Sequence, residues 1–235
     1  MRILALDTSS RAASCALLTD GVLSGEFFVH TGLTHSQTIM PMVESLLTAT
    51  DTELSTVDVF AVSAGPGSFT GLRIGVAAIK ALALALAKPC VGVSTLQALA
   101  LNAADFRGYV VPVMDARRAQ VYTALYENTS DRRLLCADDA LSLADLGTRL
   151  AGLDGPKLLI GDGAALCREK LSHIPDLQVA APGIRHQRAG SVALAAAGVP
   201  PEDYVTAAEL APVYLRLPQA ERELRARTEA EKQSQ

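Results

Sequence analysis

Apolar and polar positions follow two alternating periods along this chain. Ile3-Leu4-Ala5-Leu6 is a short apolar run ending at Asp7. Two further strand-like runs, 12–19 and 22–29, meet at Asp20-Gly21, a dipeptide that favours a two-residue hairpin turn. Thr34 is a candidate N-cap for a helix to about residue 48, in which Ile39, Met42, Val43, Leu46 and Leu47 fall at i, i+3, i+4, i+7 and i+8. That spacing is one face of a 3.6-residue period, and Pro41 within it is expected to kink the helix or delay its start. Residues 57–63 read as a buried strand, 70–87 as a second helix and 91–93 as another strand. The order β-β-β-α-β-α-β predicts an α/β layer in which an antiparallel meander joins parallel strands through helical crossovers.

A boundary is expected near 102–108. Beyond it, 109–114 and 120–126 read as strands around Asp115-Ala116-Arg117-Arg118. Residues 158–160 form a buried strand entering Gly161-Asp162-Gly163 and a helix to about residue 171, and 191–197 read as a short Ala-rich helix before Pro200-Pro201. Past Glu221 the chain alternates Glu and Arg with no apolar stripe after Leu224, as a solvated end does. The expected division is an α/β lobe at 1–104, a second of similar design at 105–217 and a charged tail at 218–235.

Composition narrows the classes. The 235 residues are 49% hydrophobic and 20% charged, which excludes a disordered chain. A net charge of −4 argues against a protein that grips nucleic acid alone. Cys15, Cys90, Cys136 and Cys167 lie far apart with no CxxC pair, as expected of buried thiols in a reducing compartment. The apolar run before Asp7 is too short for a signal peptide. The apolar stretch 74–87 carries Lys80 and falls short of the roughly 20 residues that cross a bilayer, so the expected location is cytoplasmic. Residues 1–100 hold only 12 of the 46 charged residues. A half so poor in charge is either covered by the other half or meets another protein.

The densest motif is Ala64-Gly65-Pro66-Gly67-Ser68-Phe69-Thr70-Gly71-Leu72-Arg73-Ile74-Gly75, between a strand and a helix. Glycine-rich loops there can hold phosphate on free amides, but GxGxxxG fits neither the dinucleotide fingerprint nor the Walker loop. A tight loop whose small residues admit another backbone is the other reading. In the helix, Gly71, Gly75, Ala78, Leu82 and Ala85 form a stripe of mostly small residues beside Leu72, Val76, Ile79, Ala83 and Leu86. Arg73 and Lys80 are its only charges. A helix apolar on two sides needs two covers, its own sheet and either the first helix or a partner subunit.

The segment Ala61–Gly75 resembles the signature of the TsaB (YeaZ) family, the dimerisation subunit of the bacterial machinery that makes threonylcarbamoyladenosine at position 37 of tRNA. Ile3-Leu4-Ala5-Leu6-Asp7-Thr8-Ser9, His35-Ser36-Gln37 with Pro41, Asp115-Ala116-Arg117-Arg118 with Tyr122, and Pro212-Val213-Tyr214-Leu215-Arg216 extend the likeness to about residue 217. The resemblance implies the two-lobed actin/Hsp70/sugar-kinase (ASKHA) fold and the transferase TsaD as heterodimer partner. It further implies the ATPase TsaE as a recruited component, a homodimer when TsaD is absent, and contact with tRNA only through the complex.

TsaD-like proteins carry a metal-binding His-x-x-x-His pair where this chain has Thr95 and Leu99. Leucine cannot ligate a metal, and Glu169 with His173 reads as a solvated helix pair, so no metal site is expected. No GxSxG elbow surrounds Ser68, and Asp7-Thr8-Ser9-Ser10 lacks the glycine of a kinase phosphate loop. The expectation is a non-catalytic subunit without a cofactor of its own, leaving ADP or ATP at the complex interface open. Asp7, Thr8, Asp115, Arg118, Gly161 and Gly163 are the candidates for nucleotide contact. The expected partner surface is His35, Ile39, Met42, Val43, Leu46, Gly71, Leu72, Arg73, Gly75, Val76, Ala78, Ile79 and Leu82. A charge at Ile79 or Gly75 is then expected to break pairing without unfolding the chain. The competing reading is a stand-alone small-molecule kinase or acyltransferase working near Asp7 and Asp115.

Overall fold

The computed structural model describes residues 1–129 and 132–216. The tail expected at 218–235 lies outside the described residues. β1 (Arg2–Asp7), β2 (Ala13–Thr19) and β3 (Val22–Val29) form the antiparallel meander. Asp20 and Gly21 both take positive φ at the first hairpin, as the Asp-Gly turn requires. The chain continues through α1 (His35–Ala49), β4 (Val59–Gly65), α2 (Phe69–Leu86), β5 (Cys90–Ser94) and α3 (Thr95–Leu101). β4 and β5 extend the sheet in parallel, giving the order β3-β2-β1-β4-β5. Pro41 does not delay α1, which starts at His35 and runs through it.

The second half repeats the design element for element. β6 (Gly108–Asp115), β7 (Gln120–Asn128) and β8 (Arg132–Ser142) form a second meander. α4 (Leu143–Ala151), β9 (Lys157–Ile160), α5 (Ala164–Lys170), β10 (Leu177–Val179) and α6 (Ala189–Ala197) complete the series. The sheet order is β10-β9-β6-β7-β8, the same arrangement as in the first half. Two lobes of this β-β-β-α-β-α-β-α design make the ASKHA fold. The alternation of strand residues sets the layers. Leu4, Leu6, Phe60 and Val62 face α1 and α2, whereas Ile3, Ala5, Val59 and Ala61 face α6. Val111, Val113 and Leu159 face α4 and α5, and Val110, Met114 and Ile160 face α3.

The last helix of each series therefore crosses over: α3 covers the second sheet and α6 the first. A second lobe at 105–217 is corrected accordingly. α6, Ala207 and Leu210 are buried against the first sheet, and Val205 bridges Cys90 of β5. What holds α6 there is specific. The Ala189 N–H donates to Ser14 Oγ (2.8 Å) and the Gly190 N–H to Glu26 Oε1 (2.9 Å), while Arg188 Nε donates to Glu26 Oε2 (2.9 Å). The Glu26 side chain is 5% exposed, and an anion at a helix N-terminus is favourable. Glu26→Ala should cost about 2–3 kcal/mol, below the 3–5 typical of breaking a buried pair because Arg188 is partly solvated. In a chain of this size that lowers the melting temperature by roughly 4–12 °C, and Glu26→Gln should recover part of the loss in a thermal melt.

α2 has 18 residues and is long and apolar enough to cross a membrane by length and composition alone. In this fold it is a core helix whose Leu72, Val76, Ile79 and Ala83 pack on the first sheet. All four cysteines are free; Cys15, Cys90 and Cys167 are buried. Burial pushes the Cys15 and Cys167 thiols up to about 12, which leaves them unreactive at neutral pH.

Candidate partner-binding surface

The expected nucleotide residues fall in two separate groups. Asp7 and Thr8, at the end of β1, are 0% and 1% exposed. Asp7 accepts bonds from the Ser63 hydroxyl, the Ser9 N–H (2.9 Å) and the Ser9 hydroxyl (2.8 Å). Thr8 Oγ1 donates to Gly71 O (2.8 Å), and the Ser68 N–H donates to Ser9 O (2.7 Å). Three glycines of the dense motif, Gly67, Gly71 and Gly75, turn toward this corner. A Cβ at Gly67 would stand 2.5 Å from Ser9 O, at Gly71 it would overlap Thr8 O, and at Gly75 it would overlap Thr8 Oγ1. The motif thus lets α2 lie directly on the Thr8–Ser9 backbone. Of the two readings of the loop, close packing is the one these contacts fit, and the backbone it admits is the chain's own.

Burial raises the Asp7 carboxyl above its ordinary 3.8, opposed in part by the bonds from Ser63 and Ser9. The folded protein therefore holds this proton to higher pH than the unfolded chain. The contribution to stability is complete below the unfolded value and is lost as pH rises through the folded one. Asp7→Asn should accordingly match the parent near pH 4 and exceed it in stability at pH 7–8. A pH series of thermal melts of both proteins measures this difference; a variant less stable at pH 8 would contradict it.

In the second lobe, Asp115 and Arg118 are exposed on the β6–β7 turn, and Asp162 Oδ1 accepts the Asp115 N–H (3.2 Å). Burial, with the Asp115 charge beside it, raises the Asp162 carboxyl. Gly161 and Gly163 close the loop after β9 against Val113 O and the Asp115 backbone. Thr95 and Leu99 of α3 are wholly buried, and Thr95 Oγ1 has no hydrogen-bond partner among the described residues. No group of three or more His, Cys, Asp or Glu able to hold a metal occurs among the described residues.

The expected partner surface needs the larger correction. Ile39, Met42, Val43 and Leu46 of α1 and Gly71, Leu72, Gly75, Val76 and Ile79 of α2 are buried under their own sheet or against Thr8. His35 is half-buried, with Nε2 2.7 Å from Ser10 O. Ala78 and Leu82 are half-buried at the margin, and Arg73 alone of that group is exposed. The face open to solvent is one step round the helix: Thr70, Arg73, Ala77, Ala81 and Leu84, the last 74% exposed. Ala85 and, on α1, Met40 (42% exposed), Glu44 and Ser45 are exposed beside it. These residues were reachable from the sequence only by noticing that α2 lacks a polar stripe at any phase. Lys80 is not part of that open face, since its Nζ donates to Leu210 O (2.9 Å) and Ala208 O (3.2 Å).

Fold and surface together define an ASKHA-fold protein with α2 packed tightly on the Thr8–Ser9 corner and an uncovered apolar helix face. The family model described as "TsaD: tRNA N6-adenosine threonylcarbamoyltransferase" matches residues 30–187. The chain is similar to the tRNA threonylcarbamoyladenosine biosynthesis protein TsaB of Bacillus subtilis, 37% identical over 74% of this chain and 76% of that one. TsaB of Escherichia coli is 43% identical over 54% of this chain and 55% of its own length. The structure of YeaZ from Pseudomonas aeruginosa superposes with a TM-score of 0.75 at 31% identity, covering 91% of this chain and 99% of that one. The chain belongs to the TsaB family of tRNA threonylcarbamoyladenosine biosynthesis proteins.

Proposed function

We propose that this chain is a non-catalytic subunit that binds the transferase TsaD through the outer face of α1 and α2. The observation that carries this reading is the stripe Ala77, Ala81, Leu84 and Ala85, exposed and uncharged on an 18-residue helix whose other side is already packed. Monomeric surfaces rarely leave such a face uncovered. An interface of roughly 1,200–2,000 Å² would cover it. The complex would hold the transferase in a competent arrangement and help to recruit the ATPase TsaE. It would act in the cytoplasm on tRNA, which this chain would meet only through its partners. When the transferase is absent, the same face would pair with its own copy.

Two features support a role without chemistry of its own. The Thr8 hydroxyl donates to Gly71 O of α2, the Ser9 amide and hydroxyl both donate to Asp7, and leucine stands at one of the two positions where the catalytic relatives have a metal-binding histidine. The subunit would carry no cofactor, and the junction of the two subunits is the remaining place for ADP or ATP. Light scattering of the chain alone and mixed with the transferase of the same organism, with ATP turnover and tRNA modification assayed in each, tests the reading. A stable complex, and modification only with both subunits and the ATPase, is the expected result. Nucleotide turnover by this chain alone, without a complex, would overturn it in favour of a stand-alone kinase or acyltransferase.

A further inference from the structure

The segment 205–216 passes along α2 and meets its exposed face at Tyr214. Leu210 is buried in the first-lobe core, and the Val213 N–H donates to Ala64 O (2.7 Å). Gly65 takes φ +142°, and a Cβ there would overlap Val213 O, so the strap lies directly on the backbone of the glycine-rich loop. That seating delivers Tyr214 to the start of α2. Its ring lies 4.8 Å from that of Phe69, and its hydroxyl accepts a bond from Arg73 Nε (3.2 Å). The Arg73 guanidinium in turn stands 3.9 Å over the Phe69 ring. Beyond it, Arg216 Nη1 donates to Ala116 O (2.8 Å), which anchors the far end of the strap.

Arg73 is thus held by a cation–π contact and a tyrosine hydroxyl, and neither neutralises it. Among the described residues no carboxylate lies within salt-bridge reach of it. The other cation of α2, Lys80, is occupied by backbone carbonyls. Arg73 is therefore a fixed positive charge at one end of an uncharged stripe. Arginines and tyrosines held in advance in this way are characteristic interface anchors, because little side-chain freedom remains to be lost on binding.

We propose that Arg73, positioned by Phe69 and Tyr214, is the polar anchor of the partner-binding face, and that it receives a carboxylate projecting from an apolar helix of the partner subunit. The inference rests on the reading of the α1–α2 face as the site of that partner. Charge complementarity is what selects the occupant: a partner face that is apolar throughout would leave the guanidinium desolvated and unpaired. The planar fork suits a bidentate carboxylate, which an ammonium on a flexible stem does not match. Tyr214 and Phe69 act as positioning residues. The strap makes the end of the described chain part of the interface, although it lies 141 residues from Arg73 in sequence.

The test is the dissociation constant of the complex with the transferase, measured over a salt series for the parent, Arg73→Ala, Arg73→Lys, Tyr214→Phe and the double variant Arg73→Ala/Tyr214→Phe. Arg73→Ala should weaken binding about thirtyfold or more, the level of an interface hot spot, and flatten its salt dependence. Arg73→Lys should recover only part of the loss. Tyr214→Phe should weaken binding several-fold in the parent and not at all once Arg73 is gone, as two residues acting as one unit do. Unchanged melting temperatures separate these effects from misfolding. A complex whose affinity and salt slope are the same with Arg73→Ala overturns the proposal while leaving the α1–α2 face standing. Absence of any complex with the unmodified chain removes the reading on which the proposal rests.

Discussion

Ala81→Glu is expected to leave the chain folded and to abolish its complex with the transferase. Ala81 is exposed near the middle of the outer stripe of α2, between Ala77 and Leu84. A glutamate there meets water in the free chain, and glutamate is a good helix former, so stability should change by less than about 0.5 kcal/mol. In the complex the same carboxylate would be buried among apolar groups at a cost of several kcal/mol, which weakens binding by roughly a thousandfold at 4 kcal/mol. Sedimentation velocity with the transferase, beside a thermal melt, measures both quantities. The contrast is Ile79→Asp. Ile79 is 0% exposed, and a charge placed there should unfold the chain rather than merely dissociate the complex.

Gly71→Val carries the largest expected effect on stability. The first side-chain carbon at this position already overlaps Thr8 O, a backbone atom that cannot swing aside. Relief would require lifting the first turn of α2 from the end of β1, breaking the bonds from Thr8 Oγ1 to Gly71 O and from the Ser68 N–H to Ser9 O. Overpacking of this kind costs about 3 kcal/mol or more, equivalent to a fall of roughly 6–12 °C in melting temperature. Gly32→Ala is the control, because nothing lies within 4 Å of a Cβ at Gly32. A melt in which Gly71→Val behaves like Gly32→Ala would mean that α2 does not lie on the Thr8–Ser9 backbone.

Much of the first lobe was legible because its elements carry strong local signals. The Asp20-Gly21 turn and the helical period of Ile39, Met42, Val43 and Leu46 each specify one structure. The second lobe was less so. β8 carries Arg132, Arg133, Asp138 and Asp139, and α3 follows β5 with no intervening loop. A polar strand beside a meander and a short helix joined directly to a strand leave little periodicity to read. The crossing of α3 and α6 between sheets is a property of tertiary packing, and nothing in either helix alone announces it.

The site residues show a different limit. Apolar periodicity identifies the face a helix buries, and a helix covered by its own sheet and one that docks a partner present the same signal. For α1 and α2 the strongest stripes, from Ile39 to Leu46 and from Leu72 to Ala83, belong to the internal core. The stripe proposed to face the partner is defined by the weaker feature of lacking charge, which alanines at 77, 81 and 85 convey only after the inward face is known. The glycines read as a seam for another molecule are used within the chain, against Thr8 and Ser9. The Arg73–Tyr214 contact had no sequence signal at all, since the fold alone brings the two together.

Hydrogen–deuterium exchange of the chain, alone and mixed with the transferase, tests the central claim most directly. The account predicts slowed exchange in peptides spanning His35–Ala49 and Phe69–Leu86 and in the strap 212–216 on mixing, with the β6–β7 turn and the Gly161–Gly163 loop little changed. Protection confined to that turn and loop, with α1 and α2 exchanging as in the free chain, would contradict it.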